Sequence, residues 1–194
     1  YGFSDKFHYV FQTLSGDGEI RARIASVQNT SSYAKAGVMI RQDLTDFSAY
    51  AMMEILPNKT SGFQWRPTPG ANTSSVGGTG AAAPYWVRLV RSGSTLTGYR
   101  SGDGVAWTTA GSTTINLTGD VHVGFAVTAH NNTTSCTALF DSVTITFAGG
   151  PTPTPTRTRT PTSTPTAGAP ATATPTLSPT LTHTPTRTPT PTPT

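Results

Sequence analysis

Glu19-Ile20-Arg21-Ala22-Arg23-Ile24-Ala25-Ser26-Val27 sets Ile20, Ala22 and Ile24 against Arg21 and Arg23 in strict alternation. Successive side chains of an extended strand point to opposite faces, so this run has one apolar face and one charged face. It reads as a strand half-buried against a second layer. Upstream, Ser15-Gly16-Asp17-Gly18 separates it from Lys6 to Leu14, and Asp-Gly supplies the positive backbone angles of a tight hairpin. These two runs are expected to pair.

Working outward, comparable runs lie at Ala36 to Arg41, Ser48 to Leu56, Gly62 to Arg66, Tyr85 to Arg91, Thr95 to Arg100, Val105 to Thr109, Thr113 to Leu117, Val121 to His130 and Thr134 to Phe147. Ser92-Gly93-Ser94 and Ser101-Gly102-Asp103-Gly104 read as hairpin turns. No window before Gly149 sustains a 3.6-residue apolar period. About ten short strands predict an all-β, two-sheet sandwich of jelly-roll type, because one open sheet of that size tends to curl or split. Pro67 to Pro84 is read as the one long loop, and Cys136, the single cysteine, as a small core residue on the last strand.

Composition breaks at Gly149-Gly150. Every aromatic and acidic residue precedes it, whereas 31 of the 44 residues from Pro151 to Thr194 are threonine or proline. The expected domains are a sandwich over 1–148 and a stalk over 149–194. Such a segment cannot build a core and favours polyproline II, reaching roughly 140 Å when extended. Threonine beside proline is also the composition of sugar-bearing stalks. The O-glycosylation candidates are Thr152, Thr154, Thr156, Thr158, Thr160, Thr162, Thr164, Thr166, Thr172, Thr174, Thr176, Thr180, Thr182, Thr184, Thr186, Thr188, Thr190 and Thr192. The sequons at Asn29, Asn58, Asn72, Asn116, Asn131 and Asn132 are expected by chance in so threonine-rich a chain.

The net charge of +4 is mostly a property of the tail: ten Lys and Arg face nine Asp and Glu before residue 151, and Arg157, Arg159 and Arg187 follow it. A nucleic-acid partner would call for basic residues clustered on one face, and here they are scattered. No apolar stretch has the roughly 18 residues of a membrane helix. The chain opens at Tyr1 without methionine or signal peptide, so it is expected to be processed or incomplete.

Ala34-Lys35-Ala36-Gly37-Val38-Met39-Ile40-Arg41, Pro84-Tyr85-Trp86-Val87-Arg88-Leu89, Gly98-Tyr99-Arg100-Ser101-Gly102-Asp103-Gly104, Val123-Gly124-Phe125-Ala126-Val127 and Phe140-Asp141-Ser142-Val143 resemble the concanavalin A-like lectin/glucanase sandwich modules of secreted bacterial proteins. The resemblance spans nearly all of residues 4 to 147. It implies an extracellular setting and contact with carbohydrate. Relatives of this kind usually carry one or two strands before the segment matching Tyr1 to His8. A sandwich lacking them exposes an edge at which another chain can add a strand. The glucanase members carry a Glu-x-Asp-x-Glu strand, and no such run occurs here.

Glycoside hydrolysis needs two carboxyls about 5 to 10 Å apart. Glu19 and Glu54, the only glutamates, fall on different strands without a partner acid at strand spacing, so no enzyme is expected. His8, His122, His130 and His183 show no metal-ligand spacing, His122 and His130 sharing a strand face too far apart to chelate one ion. Calcium at one of the aspartate turns is the only ion considered, and no cofactor is expected. Sugar binding uses aromatic faces flanked by planar polar groups, and the candidates are Arg41, Tyr50, Gln64, Trp65, Arg66, Tyr99, Arg100 and His130, with Gln64 and Arg66 facing away from Trp65. Trp86 and Trp107 are assigned to core or turn packing.

Two functions fit these features. One is a non-catalytic extracellular assembly module, the repeating subunit of a glycosylated surface filament or layer that self-associates by strand addition near its N-terminus. The alternative is a carbohydrate-binding module tethered by a glycosylated linker to a cell surface or a glycoside hydrolase. An adhesin for a protein partner has no residue in its favour.

Overall fold

The computed structural model describes residues 4–148, and over them the alternation of apolar and polar side chains becomes eleven strands. They are β1 (His8–Ser15), β2 (Gly18–Val27), β3 (Lys35–Arg41), β4 (Tyr50–Leu56), β5 (Thr60–Arg66), β6 (Ser74–Thr79), β7 (Tyr85–Ser92), β8 (Thr95–Ser101), β9 (Thr108–Thr114), β10 (Asp120–Thr128) and β11 (Ala138–Phe147). Six form one sheet in the order β1-β10-β3-β4-β5-β6 and five form a second in the order β11-β2-β7-β8-β9. Every neighbouring pair is antiparallel. The all-β jelly-roll sandwich read from the sequence is the fold.

The sheets bury their inner faces against each other. Ile20, Ala22 and Ile24 of β2 are fully buried, as the alternation requires, beside Val87, Leu89 and Leu96 of the same sheet. Val38, Ile40, Ala51, Met53, Ile55, Phe63, Val121 and Val123 meet them from the six-stranded sheet. Two glycines admit the Phe63 ring. A Cβ at Gly98 would stand 2.5 Å from one edge of it and a Cβ at Gly111 2.6 Å from the other.

Several sequence expectations are corrected. The turn after β1 is not a hairpin: β1 pairs with β10, whereas β2 pairs with β11 and β7, so the chain crosses between sheets there. The positive φ belongs to Gly16 (72°). The expected loop Pro67 to Pro84 contains β6, paired with β5. Its Ser-Ser-Val-Gly-Gly-Thr sequence lacks an apolar stripe because an edge strand is held largely by ladder hydrogen bonds.

The expected strands Val105 to Thr109 and Thr113 to Leu117 resolve into β9 alone. Val105 is exposed in the preceding turn, while Ile115 and Leu117 lie beyond the strand and close the end of the core. Cys136 precedes β11, half-buried outside the core, with its thiol near the Gln28 carbonyl at 3.4 Å. His130 leaves the sheet after β10 with φ 48°, so it does not share a strand face with His122.

Candidate functional site

The outward face of the six-stranded sheet is organised by register. Tyr9, Ala126, Gly37, Glu54, Gly62 and Gly77 stand side by side across six strands. Met53 and Ile55 point into the core, so Glu54 between them points the other way. Gly37 and Gly62 make room for the Glu54 and Met52 side chains, while Gly77 stays open, and over this row lies a groove of about 1580 Å³ lined from β1, β3, β4, β5, β6 and β10. That exceeds the ~300–1,000 Å³ of a small-molecule pocket and suits a longer ligand.

Glu54 lies at the bottom, only 3% exposed. Its Oε2 is buried without a hydrogen-bond partner. Desolvation pushes the carboxyl up to about 7, opposed by the Lys35 ammonium. The neighbouring glycines make this placement sterically feasible. A Cβ at Gly62 would fall 2.8 Å from Glu54 Oε1, and one at Gly37 would fall 2.3 Å from the Met53 carbonyl oxygen. Gly77 has open space above it.

Met39, Met52, Tyr50 and Ala126 form a small apolar cluster along the groove, with Phe7 and Tyr9 packed on it. Gln64 donates from Nε2 to the Tyr50 hydroxyl at 2.7 Å. Burial raises the Tyr50 hydroxyl above its ordinary range and keeps it protonated. Next to this cluster a carboxylate is held by two guanidinium groups. Arg66 is fully buried, donating to both Asp5 oxygens (2.7 and 2.9 Å) and to the carbonyls of Ser48 (3.0 Å) and Ala71 (3.0 Å) while stacking over Tyr50. Arg41, 3% exposed, reaches Asp5 at 3.3 Å and the Asp43 carbonyl at 2.7 Å, and stacks over Phe7.

The eight sequence candidates therefore separate. Tyr50, Gln64, Arg100 and His130 line the groove, Arg100 reaching it from β8 through a bond to the Ser61 hydroxyl (2.9 Å) and His130 standing against Tyr33. Arg41 and Arg66 are engaged in the interior with Asp5. Trp65 packs toward the core against Phe63. Tyr99 belongs to the opposite sheet, beneath the Arg88 guanidinium. Glu54 was missed by the sequence reading, although a lone acid inside Ala51-Met52-Met53-Glu54-Ile55-Leu56 is a visible anomaly. The threonines from Thr152 to Thr192 lie outside the described residues.

The turn aspartates serve the backbone. Asp103 Oδ1 accepts from the Val105 and Ala106 amides, which hold its carboxyl below the ordinary range, and Asp43 Oδ1 accepts from Thr45. Among the described residues no three His, Cys, Asp or Glu side chains gather to hold a metal ion. Glu19 lies on the five-stranded sheet, bound to Arg88, so the two glutamates occupy different sheets. No helix among the described residues is long and apolar enough to cross a membrane.

No protein family and no curated protein matches the chain. Solved structures do. A functionally unknown protein from Saccharomyces cerevisiae superposes with TM-score 0.59 at 17% identity, over 75% of this chain and 77% of that one. The carbohydrate-binding module CBM66 from Bacillus subtilis superposes with TM-score 0.53 at 15% identity, over 74% and 83%. The fold is that of the concanavalin A-like jelly rolls. A xylan β-1,4-xylosidase from Bacillus halodurans C-125 matches with TM-score 0.53 at 19% identity over 73% of this chain, which spans only 30% of that enzyme. The likeness extends to the sandwich and not to the rest of the xylosidase.

Proposed function

We propose that the chain is a non-catalytic carbohydrate-binding module that holds a polysaccharide in the groove above Glu54, Gly62 and Gly77. The observation that carries this reading is the long groove of about 1580 Å³ on the outward face, where the polar groups of Lys35, Gln64 and His130 stand beside the apolar side chains of Met39 and Met52. The likeness in fold to a carbohydrate-binding module supports the same reading. The domain works outside the cell, tethered through a threonine- and proline-rich segment that carries sugars.

Pull-down on a panel of insoluble and gel-immobilised polysaccharides tests it. At least one polysaccharide retains the chain, Gly77→Phe abolishes retention by filling the groove, and Tyr99→Ala on the opposite sheet leaves it unchanged. Retention of none, or retention indifferent to Gly77→Phe, sinks the reading.

A second reading, self-association by strand addition, is favoured by the β1 edge. Val10 there is 72% exposed and Phe11 43%. The other outer strand on that side, β11, is blunted by two register shifts and by Ser142 at φ 52°. Sedimentation velocity should then show concentration-dependent polymers that Val10→Lys disperses, and a strictly monomeric chain would exclude it.

A further inference from the structure

The charge around the groove narrows the ligand class. Lys6 and Lys35 line it together with His8 and His130, and neither lysine has an ion-pair partner among the described residues. Two acids oppose them. Asp5 is shared between Arg41 and Arg66, so that one carboxylate meets two guanidinium groups and leaves positive charge in excess. Glu54 is desolvated, and its carboxyl at about 7 is largely uncharged in mildly acidic solution. The groove therefore presents cations whose compensating acids are either consumed or neutral. A concave surface with low-dielectric walls focuses such a field on whatever enters it.

Stacking surfaces point the same way. Neutral sugars are commonly held on broad aromatic faces, yet no tryptophan lines this groove. Trp65 packs toward the core, while Trp86 and Trp107 belong to the other side of the sandwich, at Gly104 and at Arg88. Of the aromatic rings that do line it, Tyr50 is buried under Arg66 and Phe7 is covered by Arg41, so Tyr33, 61% exposed beside His130, is left as the ring face beside the methionines Met39 and Met52.

We infer that the groove selects anionic polysaccharides, held by Lys35 and Lys6 beside the Glu54-Gly62-Gly77 row. This rests on the carbohydrate-binding reading above. Affinity electrophoresis of the full chain through gels containing polygalacturonate, dextran sulfate or neutral xylan tests it, with retardation by either acidic polymer and its suppression by salt as the expected result. Polygalacturonate and dextran sulfate distinguish carboxylate from sulfate as the anionic group, and either meets the inference. Lys35→Ala should weaken acidic-polymer binding about fivefold, the scale of one partly screened ion pair. Gly77→Phe, which fills open space and should unfold at an unchanged temperature, should abolish it. Binding to xylan at least as strong as to both acidic polymers overturns this inference and leaves the carbohydrate reading standing. Binding to no polysaccharide sinks both. Acidic-polymer binding that survives Lys35→Ala and Gly77→Phe also overturns it, because the contact then lies outside the groove, as with the tail arginines Arg157, Arg159 and Arg187.

Discussion

Glu54 holds its proton more tightly in the folded chain than an unfolded glutamate does, since burial lifts it from 4.5 to about 7. The sign follows directly. Its contribution is fully favourable below about pH 4.5, fades as the pH rises through 7, and the difference is on the order of 3 kcal/mol. Urea midpoints should therefore fall between pH 5 and pH 8, and the fall should shrink in Glu54→Gln. Equal slopes in the two proteins would deny that this carboxyl is buried uncompensated. Asp5 obeys a different rule, because it is the shared counter-ion of two guanidinium groups buried to 4% and 0% exposure. Asp5→Ala leaves those charges stranded and should cost about 3–5 kcal/mol, read as a lowered melting temperature. Asp5→Asn, which keeps an acceptor oxygen, should cost less. The sequence alone offered Arg66 as a candidate sugar contact, since nothing local reveals that residues 61 positions apart share a bond.

At the scale of the strand, period-2 alternation is a local property, and β2 was legible for that reason. β6 was not, because its pairing with β5 uses backbone groups that every sequence possesses. Glycines at crossing points were equally silent. A Cβ at Gly124 of β10 would stand 2.0 Å from the Val10 carbonyl oxygen and 2.7 Å from the Phe11 Cα, both in the backbone of β1. Gly124→Ala should displace the edge strand at about 1–3 kcal/mol, with amide protection lost first along residues 8 to 15 in hydrogen exchange. Protection lost uniformly across both sheets would contradict a local clash. Phe63→Ala acts between the sheets instead. It empties the space bounded by Gly98 and Gly111 and should cost about 3–5 kcal/mol.

For the molecule as a whole, one core shared by two sheets makes unfolding a single event, so tryptophan fluorescence and far-ultraviolet circular dichroism should trace coincident transitions in the wild type and in Phe63→Ala. Separate transitions would mean that the sheets hold independently. The sequence by itself determined that the first part of the chain makes two-faced strands, because alternation is written residue by residue. Which strands lie side by side was decided only in three dimensions. Gly37, Glu54, Gly62 and Gly77 come from four strands and meet in one row through backbone pairing. Register depends on distant partners, so the groove and its uncompensated carboxyl exist only once both sheets have closed on their common core.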